Sequence, residues 1–472
     1  MAINFMVMNP TLASRDREIS HSNWRLKPGY IENSGSDVES VHILLGRFLT
    51  DRNSADPLPE KELFSAEGKF EWGAAQPLEK TITSESDLDF LAQNPSLFRN
   101  AISIIEPWEH VGHNDLGEEV RASKNVAFMA QKIADCDSIL FPVWSAGTLN
   151  LDKVVPIMSS SMAVVLEGGF PSVHNADEWT QPNCSRDDMF ALVEKLLLSR
   201  SPRSAPAIFI CVSHQLAAEC HIRLLRRAVR EVLSMDALKR DEGGETLDSL
   251  KTACEKIKSI GENLKIVKRD GRVVAQGWED DNFAVILNEE KEVGDRVLLP
   301  YKTPNIKDSA IPLKLLNTHE VMADELEGVI DDTILRYEND ISIAMFHADE
   351  VNEEAILFAN WAYMTLHNAI VPHRYTVAAS PLSWLLQMPY AIEILASTEA
   401  DGEILTECSC TCINYKDFET RKIRRSFTCQ FHPELLSDLR DIGKRSAPSY
   451  AELKKSDGMR LLARLLYEGM QE

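Results

Sequence analysis

The sequence predicts an α/β protein built on a mainly parallel central sheet flanked by helices, with an N-terminal extension and a large insertion. Three observations carry that expectation. Short apolar runs recur between residues 102 and 210, and helix-like segments separate them. One run, Ala207-Ile208-Phe209-Ile210, leads straight into Cys211, after which Leu216, Leu224, Leu225 and Val229 fall at helical spacing: strand, sharp turn, helix. A second, Ala163-Val164-Val165-Leu166, ends in Glu167-Gly168-Gly169, a glycine pair that permits φ > 0 and close backbone approach to a ligand. Strands alternating with helices imply right-handed crossovers and a ligand site outside the carboxyl ends of the strands.

Residues 1–98 form the N-terminal extension and carry no motif that can be named. A short strand is expected over 3–8, polar turns at Lys27-Pro28-Gly29 and Asn33-Ser34-Gly35-Ser36, a helix over 38–48, and a capped start over 84–89. A partner surface and a cap on the sheet both fit this segment. Residues 99–440 form the α/β domain. Strands are expected over 102–105, 138–143 and 163–166, and helices over 116–134, 149–158 and 186–198. Glu106-Pro107-Trp108-Glu109-His110 follows the first of these strands, either lining the mouth of a site or folding into a packed turn.

The segment 241–372 reads as the insertion, a lid or docking region. It opens on a charged helix over 247–260, then a hairpin from 264–267 to 272–275 around Asp270-Gly271, a strand over 283–287, and helical material over 328–374. Strands over 392–397, 404–413 and 427–434 close the domain, and residues 441–472 form a linker and a C-terminal amphipathic helix over 460–470.

Composition narrows the function. The formal charge of −23 argues against a duplex-wide nucleic-acid footprint and against binding an anionic membrane surface. The basic runs at 223–230 and 421–425 read as solvated faces or ion-pair partners. No stretch approaches about 18 uninterrupted apolar residues, and the first residues are too short and uncharged for a secretory signal, so a soluble cytoplasmic protein is expected. Nine scattered cysteines do not make a disulfide framework. Cys408, Cys410 and Cys412 alternate and would share one face of a strand; without a partner pair at zinc spacing they read as a buried face, and neither a metal nor a cofactor is expected.

The chemistry is carried by Cys211 at the strand end, the Gly168-Gly169 turn, and Cys429-Gln430-Phe431-His432-Pro433-Glu434. A thiol presented at a sharp strand-to-helix turn faces the backbone N–H groups that open the helix, an arrangement suited to nucleophilic attack and oxyanion stabilisation. Strand-Gly-Gly, strand-C-x-x-H-Q and Q-F-H-P-E, in that order, resemble the class I glutamine amidotransferases, whose glutaminase domain uses a Cys-His-Glu triad. The resemblance implies Cys211 as nucleophile, His432 as base and acid, and Glu434 as the group that orients the imidazole. It implies an oxyanion hole from Gly168, Gly169 and the Val212 N–H, substrate contact through Gln215, and a counterpart in His373 of the histidine that the family often carries before its final strands.

Two departures stand out: the family usually has glycine two residues before and after the nucleophile, where this chain has Phe209 and Ser213. The 221 residues from Cys211 to His432 (432 minus 211) also exceed the family's usual spacing. The implied activity is attack on the side-chain amide of glutamine through a cysteine thioester, releasing ammonia to an acceptor or synthetase site on another chain, because no G-x-x-x-x-G-K-[ST] motif is present. A stand-alone γ-glutamyl hydrolase is the nearest variant. A non-catalytic scaffold protein is the alternative from a different class.

Overall fold

The computed structural model describes residues 38–50, 79–82, 84–99, 101–108, 112–113, 119–120, 123–143, 150–169, 171–181, 184–198, 205–236, 244–267, 273–280, 283–286, 349–400, 403–418, 422–434 and 450–470. Eight strands make the main sheet: β1 Glu79–Thr81, β2 Ala101–Glu106, β3 Asp137–Pro142, β4 Ala163–Leu166, β5 Ala207–Ile210, β6 Ala391–Ala400, β7 Glu403–Lys416 and β8 Ile423–Cys429. Their spatial order is β1-β3-β2-β4-β5-β8-β7-β6. All neighbours from β1 to β8 pair in parallel, and β7 runs antiparallel to both β8 and β6.

The parallel strands are nearly continuous apolar runs because both faces of the sheet are covered. Alternation of side chains sorts them into two cores. Ala207 and Phe209 of β5 enter the first core, together with α2 Glu85–Gln93, α4 Leu151–Ser159, α5 Arg186–Leu198, α6 Val212–Ser234, α7 Gly244–Asn263 and α8 Glu353–Ile370. Ile208 and Ile210 enter the second, with α1 Val38–Thr50, α3 Ser123–Lys132 and α9 Asp457–Gly469. The result is three layers, helices over sheet over helices. Strands β2, β3, β4, β5 and β8 end at one edge, and the candidate site lies there.

Several expectations meet these elements closely: β4 and α5 have the anticipated limits, and the hairpin pairs Lys265–Val267 with Val273–Gln276. Others need correction. The helix expected from 116 starts at Ser123, because Glu119–Val120 instead pairs with Gly112–His113. The last strand stops at Cys429; Pro433, which lacks a backbone donor, sits in the turn beyond it that carries His432 and Glu434. The three alternating cysteines do not share a face. Cys408 packs in the first core and Cys410 and Cys412 in the second, because register shifts between β6 and β7 around Ala396 and Thr398 turn the strand over. Among the described residues no group of His, Cys, Asp or Glu has the makings of a metal site.

Part of the segment placed before the α/β domain is built into it: β1 is the outer strand of the sheet, and α1 stacks on α9, with His42 against Tyr467 at 3.9 Å between ring centroids. Within 241–372, α7 and α8 join α6 in the helical layer. Residues 287–348, where the lid and further helical material were anticipated, lie outside the described residues, as do the N-terminal strand over 3–8 and its following turns. Among the described residues no helix is long and apolar enough to cross a membrane.

Candidate active site

Cys211 stands between β5 and α6 with φ 51° and ψ −111°. Among the described residues only Asp135 shares a positive φ without being glycine. That conformation is costly for a residue with a Cβ, and here the fold imposes it: the Cys211 N–H donates to the carbonyl of Cys429 at 2.7 Å, and its own carbonyl accepts from the Gln215 N–H at 3.1 Å. The turn therefore lifts the thiol out of the sheet at the N-cap of α6, where the helical N–H groups that follow lack partners within the helix. Val212 contributes the first of them.

The two departures from glycine are accommodated. Phe209 is fully buried and points to the first core, away from Cys211, which packs with the second. Ser213 sends its hydroxyl to the Glu167 carbonyl at 2.5 Å, tying the elbow to the glycine turn of β4.

Gly168, Cys211 and His432 form one contact. A Cβ on Gly168 would lie 2.8 Å from His432 Cε1 and 2.9 Å from Cys211 Cβ, so only glycine fits. A Cβ on Gly169 would lie 3.1 Å from Val212 Cγ1 and 3.2 Å from Trp108 Cβ, which brings the glycine turn, the opening of α6 and the Trp108 turn together. Trp108 stands edge-on to Trp179, a packed turn next to Gly169, while Glu109 and His110 lie outside the described residues.

His432 bonds Glu434 through Nδ1 at 2.7 Å. Its remaining nitrogen, Nε2, is the one left to hydrogen-bond the Cys211 side chain. Burial works against a charged imidazole, but the Glu434 carboxylate and the Cys211 sulfur outweigh it and hold His432 well above the usual imidazole range. Glu434 is itself 1% exposed, and the Asn125 amide of α3 holds its carbonyl at 2.9 Å. Thiol, imidazole and carboxylate thus come from the ends of β5 and β8, gathered at one sheet edge.

Gln215 also lies here, but its amide is engaged by protein: Nε2 donates to the Asp349 carbonyl at 2.7 Å and to Gln430 Oε1 at 3.4 Å. With both hydrogens so placed, Oε1 is the side-chain atom that remains, and it can only accept. His373 is not brought to the site. Asn352, which caps α8, is close to Asp349, but 18 residues of helix at 1.5 Å each carry the chain about 27 Å away. His367, in the last turn of α8, stacks on Phe418 beyond the far end of β7, and His373 follows it in the turn Val371–His373.

Sequence reasoning passed over Gln430, Asn125 and Asp349. Gln430 stood inside a quoted motif without a role. Asn125 and the Asp349 carbonyl have no local signature, since each acts on a residue more than a hundred positions away.

Fold and geometry together define an α/β protein with an elbow-mounted cysteine beside a buried His–Glu pair. No protein-family model and no curated protein matches the chain.

Proposed function

We propose that the chain is a cysteine-dependent glutaminase of the class I amidotransferase type. The observation that carries this reading is the elbow at Cys211, with His432 at its thiol and Glu434 behind the imidazole. Cys211 Sγ attacks the side-chain carboxamide carbon of glutamine, forming an S–C bond and placing negative charge on the amide oxygen. The Val212 N–H and the Gly168–Gly169 turn stabilise that oxyanion. His432 gives its proton to the departing nitrogen, which leaves as ammonia, and a γ-glutamyl thioester remains. Water then attacks the thioester carbon, with His432 accepting its proton; the S–C bond breaks, and glutamate leaves. Glutamine and water are consumed, and glutamate and ammonia are released.

The ammonia passes to an acceptor or synthetase site on another chain, since the sequence carries no phosphate-binding loop of its own. The test is release of glutamate and ammonia from glutamine by wild type and by Cys211→Ala and Glu434→Gln, with any co-purified partner present. Wild-type release is expected, with none from Cys211→Ala and a smaller loss for Glu434→Gln, which keeps the thiol. A Cys211→Ala variant as active as wild type, or a wild type that releases nothing, would overturn the reading.

A further inference from the structure

Gln430 follows β8 and is completely buried. Its backbone N–H donates to the Ser409 carbonyl at 2.8 Å, which fixes the main chain. Its side-chain Nε2 lies 4.0 Å from Cys211 Sγ. The polarity of that contact follows from the neighbours. The Asp349 carbonyl can only accept, so the Gln215 amide nitrogen faces it at 2.7 Å. The second hydrogen of the same nitrogen meets Gln430 Oε1 at 3.4 Å. The oxygen end of Gln430 is thereby turned to Gln215, and the NH₂ end to the sulfur.

We infer that Gln430 is a positioning residue for the proposed nucleophile: its amide N–H holds the Cys211 sulfur in place, with Gln215 and Asp349 keeping the amide turned toward it. A hydrogen bond to the charged form of a group favours that form, and more so in a buried site where water does not compete. The contact needs only the geometry above; its consequence for turnover rests on the proposed glutaminase function. Under the proposed function Gln215 acquires a double role, since the residue that presents Oε1 to glutamine also orients the amide at the thiol. Asp349 ties both to the short ladder of Val285–Ile286 with Glu350–Val351.

The experiment is the pH profile of iodoacetamide alkylation at Cys211 in the full-length protein, read by peptide mass, for wild type, Gln430→Met and Gln430→Glu. Methionine keeps the length without the N–H; glutamate keeps the shape and supplies a charge of the wrong sign. We expect the midpoint of the profile to rise by about one pH unit in Gln430→Met and by more in Gln430→Glu. Turnover should fall through kcat, with KM near that of wild type. Gln215→Met, which leaves Gln430 in place but unheld, should shift the midpoint the same way by less; if Gln430→Met melts early, this variant and Gln430→Glu carry the test. Unchanged midpoints in folded variants would overturn the inference, whatever the turnover. Shifted midpoints with no glutamate release from wild type would support the contact and overturn the glutaminase reading instead.

Discussion

At Gly168 a single hydrogen atom decides whether Cys211 and His432, the proposed nucleophile and base, can meet. The missing side chain is the space in which the His432 ring and the Cys211 Cβ pack against the turn after β4. Gly168→Ala therefore has to push the imidazole or the thiol aside. We expect a folded protein whose turnover of glutamine falls about a hundredfold, because displacements near 1 Å at reacting groups cost that much. Melting temperature and glutamate release measured on the same preparation check it; wild-type turnover would mean that His432 does not work from this position. The pair Gly168-Gly169 means little in the sequence by itself, and it gains weight only because it precedes the Cys211 strand and the Gln430-Phe431-His432-Pro433-Glu434 run in that order. His373 was misread for the opposite reason: a short local match says nothing about the 18-residue helix that carries it away. Gln430 and Asp349 escaped because their partners are set by the sheet order, which no local pattern states.

The elements show the same division. Strand β4 and helix α5 were legible to the residue, the first as an unbroken apolar run closed by glycine and the second as an apolar stripe at helical spacing behind an Asp187-Asp188 start. The helix anticipated over 116–134 joined a true helix to a segment of similar polarity that pairs as a strand instead. Strand β7 broke its own alternation at the register shifts facing β6, so three evenly spaced cysteines divide between two cores. Burial there has a titratable consequence. Glu393 of β6 is 4% exposed, and burial, opposed by the Arg425 charge and the Asn414 side chain, pushes its carboxyl up to about 7. An acid whose folded pKa is raised costs nothing below its unfolded value of 4.5, and costs progressively more as pH climbs through 7. Glu393→Gln should therefore melt with wild type below pH 4.5 and be more stable above pH 7, by on the order of 3 kcal/mol. Denaturant titrations at both ends check it, and a variant destabilised equally at every pH would show that the contacts of Glu393 with Arg425 and Asn414 outweigh its burial.

For the whole molecule, one sheet edge collects what the chain keeps far apart. Parallel strands bring the turn after β4, the elbow after β5 and the turn after β8 side by side, and the second core braces the last of them from below. There the start of α9 lies so close that a Cβ on Gly458 would come within 2.6 Å of the Pro433 carbonyl. The C-terminal amphipathic helix, legible from its leucine spacing, thus supports the turn that carries His432 and Glu434. All nine cysteines are buried, and burial pushes the thiols of Cys184, Cys254 and Cys410 up to about 12, which leaves them poor nucleophiles. Cys211 alone of the nine sits on a strained elbow at a helix start beside a histidine, so under the proposed function a reagent shaped like glutamine should find it and no other. Treatment of the full-length protein with a diazoketone analogue of glutamine, followed by peptide mass mapping, measures this most directly. One adduct is expected, on Cys211, slowed by added glutamine and lost in His432→Ala. An unlabelled protein, or an adduct on a different cysteine that glutamine does not slow, would contradict it.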